Sequence, residues 1–442
     1  MNRMAKTNNK TSNSTDAADA EGKTNRSKTT ILFPIRLDRS GNPQATIHRT
    51  IATSKDPVLQ NSFQFISFAA NPSTFLQSIP SMQSSKSSRT AHKSSKLTLY
   101  STSENRFFDA FIITCKSIGT VAQWDAIHLG PNPALLPLAL FAKACGKKII
   151  TTVHEAPSHT LHRDAFTQFC LRSLASLATV RVSVSKFVQK EVTSSWNLNS
   201  IVVHNGVDTE FFNPAKKDVA QTEKLLGVTL GKRKLVLFVG ALISGKGVLD
   251  VLENCKSRTD VVCVFIGDGP LKQTIAECAK TAAHIVQKDF LAPAQLATVY
   301  ASSDVLFFPS RIDSFGMVYI EAMASGTPVL SVSAAAAPEI VSQTAGVGIL
   351  CDPIEPLFSS GLAQIFKTKY SREKIAAYVR ATFSNEKMAA GYAVIYAQLF
   401  GRSVTPHASS TSLTSSPLLV SSLTPQISRS DVISSEKKRG RK

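Results

Sequence analysis

Residues 148–203 read KIITTVHEAPSHTLHRDAFTQFCLRSLASLATVRVSVSKFVQKEVTSSWNLNSIVV, and three short runs within them decide the fold. IITTV (149–153), VRVSV (180–184) and IVV (201–203) are almost wholly apolar or β-branched, the composition of parallel strands covered on both faces. Between them, 166–178 and 186–196 are long enough and patterned for helices. Toward the N-terminus the alternation continues, with strands at 31–35, 63–68 and 125–129 and helices at 107–117 and 134–145. Toward the C-terminus it pauses at HNGVDTEFFNP (204–214), where Asn-Gly and a closing Pro are turn chemistry. It then restarts with strands at 234–239, 261–266, 304–308 and 329–332 and helices at 247–254, 271–282 and 318–324. Strand, short loop and helix in repetition imply right-handed βαβ crossovers. The expectation is two doubly wound, Rossmann-like α/β domains, 29–205 and 206–401, facing a central cleft. Ligands in such sheets bind beyond the carboxyl ends of the strands, so that cleft is the default site.

Composition bounds the rest. The 442 residues are 43% hydrophobic and 18% charged, enough for sizeable cores, which excludes a wholly disordered chain or a small stapled scaffold. No run approaches the roughly 18 consecutive apolar residues of a membrane-spanning helix. The best, 134–145, is broken by Pro137 and Lys143, and MNRMAKTNNK at the start lacks the apolar core of a signal peptide. Seven cysteines form no C-x-x-C pair, pointing to reduced thiols and a cytoplasmic setting rather than a disulfide or metal framework. Residues 1–28 and 402–442 are polar and basic and read as disordered arms; 81–96 (SMQSSKSSRTAHKSSK) reads as a long mobile loop. The formal charge of +19 includes +8 within 31–210 against +3 within 211–400. A basic first half suits an anionic lipid surface or an acidic ligand, or serves solubility alone. No nucleic-acid-binding signature accompanies it, so no nucleic acid partner is expected.

Two blocks carry chemistry. In LVLFVGALISGKGVLDVLE (235–253) a strand meets Gly240, Gly245 and Lys246 before a helix, the makings of a phosphate cradle. A P-loop would follow its lysine with Ser or Thr to hold Mg²⁺; here Gly247 follows, so Lys246 reads as a diphosphate ligand in another fold, or as an exposed lysine beside a capped helix. In DVLFFPSRIDSFGMVYIEAMASGTPVL (304–330) a buried strand runs into a loop carrying Asp313, and a helix opens near Met317 and carries Glu321. The amides of Phe315, Gly316 and Met317 are helix-start donors suited to anionic oxygens, with Asp313 and Glu321 able to accept from sugar hydroxyls. Glu321 near a helix start is equally an ordinary dipole partner. His159 and His162 are spaced as metal ligands on a helix, but nothing joins them, and no metal is expected. His128, at a strand end, reads as structural.

The second block resembles the signature of family 4 glycosyltransferases, also called glycosyl transferases group 1, through Pro309, Ser310, Phe315, Gly316, Glu321, Ala322, Met323, Ala324, Gly326, Pro328 and Val329. WDAIHLGPNPALLPLA, KIITTVHE, VVHNGVDTEFFNP, FVGALISGKG, FIGDGPLK and APEIV extend the likeness over about 250 residues in the family's order. The resemblance implies a GT-B fold and retaining transfer of a sugar from a nucleotide-diphosphate sugar to an acceptor hydroxyl, with no bound metal or other cofactor. It implies that Glu321 contacts the ribose, that Gly240 and Lys246 lie at the diphosphate, and that Phe315, Gly316 and Met317 present amides. Asp313 stands for the carboxylate beside the transferred sugar, and His154 for a histidine near the reacting carbon.

The chain departs from the pattern at three places. The family's arginine ahead of the lysine is Ala241, its first glutamate is the shorter Asp313, and its paired glycines before Pro-Glu are alanines within 334–337. The usual glycine-rich acceptor loop is not recognisable in IRLDRSGNPQ (35–44). A degenerate GT-B protein that binds sugar nucleotide or a partner without catalysis therefore stays open, as does a GT-B epimerase or phosphorylase. The basic first half leads to the expectation of a peripheral membrane contact through Lys86, Arg89, Lys93 and Lys96, with a lipid-linked acceptor; a soluble acceptor is the alternative.

Overall fold

The computed structural model describes residues 28–402 apart from 37–42, 70–84, 87–90, 94–96, 102–105, 161–163 and 355–357. The two expected arms fall almost wholly outside these residues, as do His162, Arg89 and Lys96 and the centre of the expected acceptor loop.

The first sheet contains β1 (Thr29–Arg36), β2 (Phe63–Ala69), β3 (Ser85–Lys86), β4 (Ala91–Lys93), β5 (Leu97–Ser101), β6 (Ala126–Leu129), β7 (Lys148–Val153), β8 (Val180–Ser183) and β9 (Ile201–Val202). Its order is β3-β4-β5-β2-β1-β6-β7-β8-β9, parallel from β5 to β9. The β3–β4 hairpin adds two antiparallel edge strands. This corrects the expectation of an unstructured loop over 81–96, whose described residues extend a sheet edge.

The second sheet contains β10 (Lys234–Val239), β11 (Val261–Ile266), β12 (Ile285–Lys288), β13 (Val305–Phe307), β14 (Val329–Val332) and β15 (Gly348–Cys351). All its pairings are parallel, in the order β12-β11-β10-β13-β14-β15. That is the doubly wound arrangement, with strand order reversing between β10 and β13. Every residue of β11 (VVCVFI) is buried, as the apolar run requires of a strand with helices on both faces.

The chain passes between the sheets twice. At the first junction Val207 bridges Ser384, which belongs to the second, and Asn385 N–H donates back to Val207 O at 3.0 Å. The helix Asn385–Leu399 then leaves the second sheet and packs Met388, Tyr392, Tyr396 and Ile395 into the core of the first, with Ile31, Phe33 and Phe65.

Candidate active site

Because β10 and β13 are neighbours at the switch point, the loops leaving their carboxyl ends run side by side. The loop after β10 tightens into a 3-10 turn at Ser244–Lys246 before the helix Val248–Cys255. Gly247 has φ +77°, and a Cβ there would stand 2.5 Å from Pro309 Cγ and 2.6 Å from the Pro309 carbonyl oxygen. Only glycine permits that approach. The loops are also joined directly, Arg311 N–H donating to Gly245 O at 3.0 Å. Together these bring Lys246 Nζ to 2.7 Å from Asp313 Oδ1, in a pair whose side chains are 20% and 15% exposed. The ammonium also lies 5.8 Å from the centre of the Phe308 ring. The other Asp313 oxygen is buried without a hydrogen-bond partner.

The helix Met317–Ala324 starts from Gly316, held at φ +81° where a Cβ would meet the Tyr319 ring at 2.5 Å. The Phe315 side chain is core, set between His204 and Phe383, so its amide rather than its ring is available to a ligand. Glu321 lies one turn further in and is partly buried, accepting from the Tyr300 hydroxyl at 3.1 Å. Burial pushes its carboxyl up to about 7, against the lowering effect of that hydrogen bond.

From the opposite side, β7 ends at Val153 and delivers His154, Glu155 and the turn Pro157–Thr160. This segment is tied across the cleft: Ala156 N–H donates to Ser314 Oγ at 2.9 Å, and Ser185 Oγ donates to Ser314 O at 2.6 Å. Glu339 adds a second tie, accepting from Lys186 N–H and lying 2.6 Å from His204 Nε2. The cleft so enclosed measures about 880 Å³, and His154, Gly240, Lys246, Asp313, Phe315, Gly316 and Met317 all line it. Glu321 is not among the lining residues. Sequence reasoning passed over Glu155, Ser158, Asn205 and Ser314, which also reach the cleft, and gave His159 no part beyond the rejected metal pair.

Two adjoining segments match known families by sequence: residues 82–211 match Glycosyltransferase Family 4, and residues 227–382 match Glycosyl transferases group 1. The chain belongs to this family. It is 33% identical over 150 residues to a GDP-mannose-dependent alpha-mannosyltransferase of Corynebacterium glutamicum, a match covering 34% of this chain and 35% of that one. The likeness therefore spans about a third of that relative's length. Among solved structures, sucrose-phosphate synthase from Thermosynechococcus elongatus superposes with TM-score 0.64 at 15% identity, over 85% of this chain and 100% of that one. Anabaena HepE in complex with UDP gives 0.60 at 18% identity, over 84% and 100%. The fold is GT-B.

In this GT-B chain the first-domain wall is backed by imidazoles. His154 has no hydrogen-bond partner on either ring nitrogen, and burial lowers its pKa to about 4. Behind it His128 contacts the Tyr396 hydroxyl at 2.7 Å and Thr152 Oγ1 at 2.8 Å, and burial lowers it to about 3. His48, stacked on Phe33 with ring centres 4.1 Å apart, is fully buried and also without partners. All three stay neutral at physiological pH, which fits His128 to a structural part. Among the described residues no three His, Cys, Asp or Glu side chains gather as a metal site.

Proposed function

We propose that this protein transfers a sugar, with retention at the anomeric carbon, from a nucleotide-diphosphate sugar to an acceptor hydroxyl. The observation that carries the reading is the convergence of Lys246, Asp313 and the helix-start amides of residues 315–317 on one wall of a cleft that His154 faces from the other. In the empty cleft Lys246 is neutralised by Asp313. When the donor enters, the ammonium turns to the diphosphate and, with the amides, stabilises the charge that develops as the anomeric C–O bond breaks. Asp313, released, accepts from a hydroxyl of the transferred sugar. The acceptor oxygen forms its bond on the face the diphosphate leaves, and the departing phosphate oxygen takes the acceptor's proton, so no protein base is required. His154, neutral, offers one N–H and one lone pair beside the reacting carbon. Glu321 serves the ribose by turning from the Tyr300 hydroxyl toward the cleft when the donor binds, and Gly240 keeps the wall free of a side chain. No metal or other cofactor has a step in this scheme.

For the acceptor, the same proposal extends to a lipid-linked hydroxyl at an anionic membrane surface, on the cytoplasmic side. Three helices that pack side by side on the first sheet, Arg106–Gly119, Leu136–Ala144 and Ala165–Leu177, expose Phe111 (69%), Leu140 (52%), Phe166 (72%) and Phe169 (63%). The last of these helices begins just past the turn at the cleft mouth. Exposed rings within a basic half-protein suit a lipid headgroup boundary. Lys86 and Lys93, expected to make that contact, lie on the edge strands β3 and β4. Among the described residues no helix is long and apolar enough to cross a membrane.

A panel of UDP-, GDP- and ADP-sugars, with and without membrane lipid as acceptor, tests the reading. Release of nucleoside diphosphate together with a product of unchanged anomeric configuration supports it. Inverted product removes retention, and epimerised donor without diphosphate release points to an epimerase. Ala241 and the self-neutralised Lys246 favour a second reading, a binder without turnover; tight donor binding with no release under any condition establishes that one.

A further inference from the structure

A nucleotide diphosphate brings about two negative charges into this cleft, and the lining is poorly stocked to receive them. Lys246 is the only lysine or arginine among the described lining residues, and Asp313 already neutralises it. Glu155 adds a further carboxylate, and position 241, on the same wall, carries alanine. The remaining lining groups able to become cationic are His154 and His159. His154 sits too deep to hold a proton near neutrality, since burial lowers it to about 4.

His159 is differently placed. It sits on the turn Pro157–Thr160, its own N–H donating to Ala156 O at 2.9 Å, and its ring packs against Phe187 of the helix Lys186–Trp196 with centres 5.6 Å apart. Ser158 N–H, next to it, donates to Glu191 Oε2 at 3.3 Å. Because Ala156 is hydrogen-bonded to Ser314, the turn is fixed to the very loop that carries Asp313. His159 is thus a half-buried imidazole held from the first domain, facing the Lys246–Asp313 pair. We propose that His159 is the second cationic ligand of the donor diphosphate, contributed across the cleft by the first domain.

The charges around it make this a ligand-coupled site. Burial holds the imidazole below its ordinary value; Glu191 on the packing helix, Glu155 on its own segment and Asp313 opposite pull it up, while Lys246 pushes it down. In the empty cleft it is therefore mostly neutral at physiological pH. A diphosphate draws Lys246 to itself and adds negative charge, both of which favour the imidazolium. Donor binding then takes up a proton, and affinity rises as pH falls.

This inference rests on the donor-site reading above, and the experiment separates the two. Intact UDP-glucose and GDP-mannose serve as probes, because their diphosphate does not titrate between pH 6 and 8, and binding is measured by calorimetry at both pH values in two buffers of different ionisation enthalpy. For the better probe, wild-type affinity should rise about tenfold from pH 8 to pH 6, with net proton uptake. His159→Gln should lose about tenfold at pH 6 and bind without pH dependence. His159→Arg, a fixed cation, should bind tightly at both pH values with no proton uptake, a rescue that a merely structural role would not give. Ala241→Arg in the His159→Gln background should likewise restore affinity from the other wall. If His159→Gln keeps the wild-type pH profile and proton uptake, the inference is overturned while the donor site stands. If neither probe binds the folded wild-type protein, the donor-site reading falls and takes this inference with it.

Discussion

The two walls of the cleft are built on opposite principles. The second-domain wall holds formal charge before any ligand arrives, in the 2.7 Å pair of Lys246 and Asp313. It can do so because the loops after β10 and β13 touch, at Gly247 and Pro309. The first-domain wall holds buried, neutral rings: His154 with both nitrogens unpartnered, and His128 satisfied behind it by Tyr396 and Thr152. A wall of paired charge can exchange its internal partner for an anion, whereas a wall of neutral imidazoles suits hydroxyls. On the proposed reading the diphosphate lies against the charged wall, where His159 reaches it from across the cleft, and the transferred sugar lies between Asp313 and His154.

The sharpest way to break this comparison is Asp313→Asn. If the carboxylate both neutralises Lys246 and accepts from the sugar, its loss has two effects of opposite sign. Transfer should fall by about 10²–10³, the scale of removing one charged group from a reacting centre. Affinity for the free nucleoside diphosphate should hold or rise, because Lys246 no longer has to leave a carboxylate. Asp313→Glu should retain transfer or shift donor preference. Rapid-quench assays and calorimetry on the same preparations read both numbers. Wild-type transfer in Asp313→Asn would remove the carboxylate from the chemistry and move the binder reading ahead.

The same contrast explains what the sequence revealed. The second-domain wall was legible because its determinants are local: a glycine pair around Lys246, and Asp313 within four residues of a helix start. Strand runs such as VVCVFI and IITTV announced both sheets because burial on two faces selects apolar and β-branched residues at every position. The first wall was not legible in the same way. His159 owes its position to the tie between Ala156 and Ser314, residues 158 apart, and Tyr396 reaches His128 across 268 positions. No local periodicity records such contacts. The helices Pro43–Thr53 and Pro57–Ser62 lie outside the expected elements, although the latter opens on Pro57 with Asp56 accepting from Val58 N–H and Leu59 N–H as its cap. Glu321 was expected to face the same ligand as Asp313. In the empty cleft it accepts from the Tyr300 hydroxyl, a contact that helix spacing alone does not disclose.

Glu321 offers a second, smaller test, because it is a buried carboxyl behind the second wall whose partner is a hydroxyl, Tyr300, rather than a cation. Burial has moved its carboxyl from an ordinary 4.5 to about 7. Between those values the folded protein holds more protons than the unfolded chain, so stability falls as pH rises through that window. Glu321→Gln removes the titrating group. It should stabilise the fold by about 1–2 kcal/mol at pH 8 relative to wild type and show no such gain near pH 4.5. It should also weaken nucleotide-sugar binding, because an amide offers a ribose hydroxyl one acceptor oxygen where the carboxyl offers two. Thermal melts at the two pH values check the first statement and calorimetry the second. A stability difference that does not change with pH would mean the carboxyl is already ionised in the folded state. The second wall would then hold an unpaired charge that the comparison does not allow.

The smallest expected effect lies outside both walls, at the rings beside the cleft mouth. Phe166 and Phe169 stand one turn apart on the helix Ala165–Leu177 and are 72% and 63% exposed, so neither contributes much to the core. Replacing both with Ser should leave the melting temperature within a degree or two of wild type. If the first domain rests on a lipid surface, each ring lost should weaken association with anionic vesicles by about 1 kcal/mol, roughly fivefold. Transfer to a soluble acceptor should not change. The electrostatic share is separated by salt, because basic side chains are screened within about 8 Å at physiological ionic strength whereas ring insertion is not. The useful outcome is therefore the residual binding at high salt: present in wild type and absent in the double variant, it places the rings in the lipid. Equal binding by the two proteins at both salt concentrations would detach the patch from the membrane and leave the acceptor to be sought in solution.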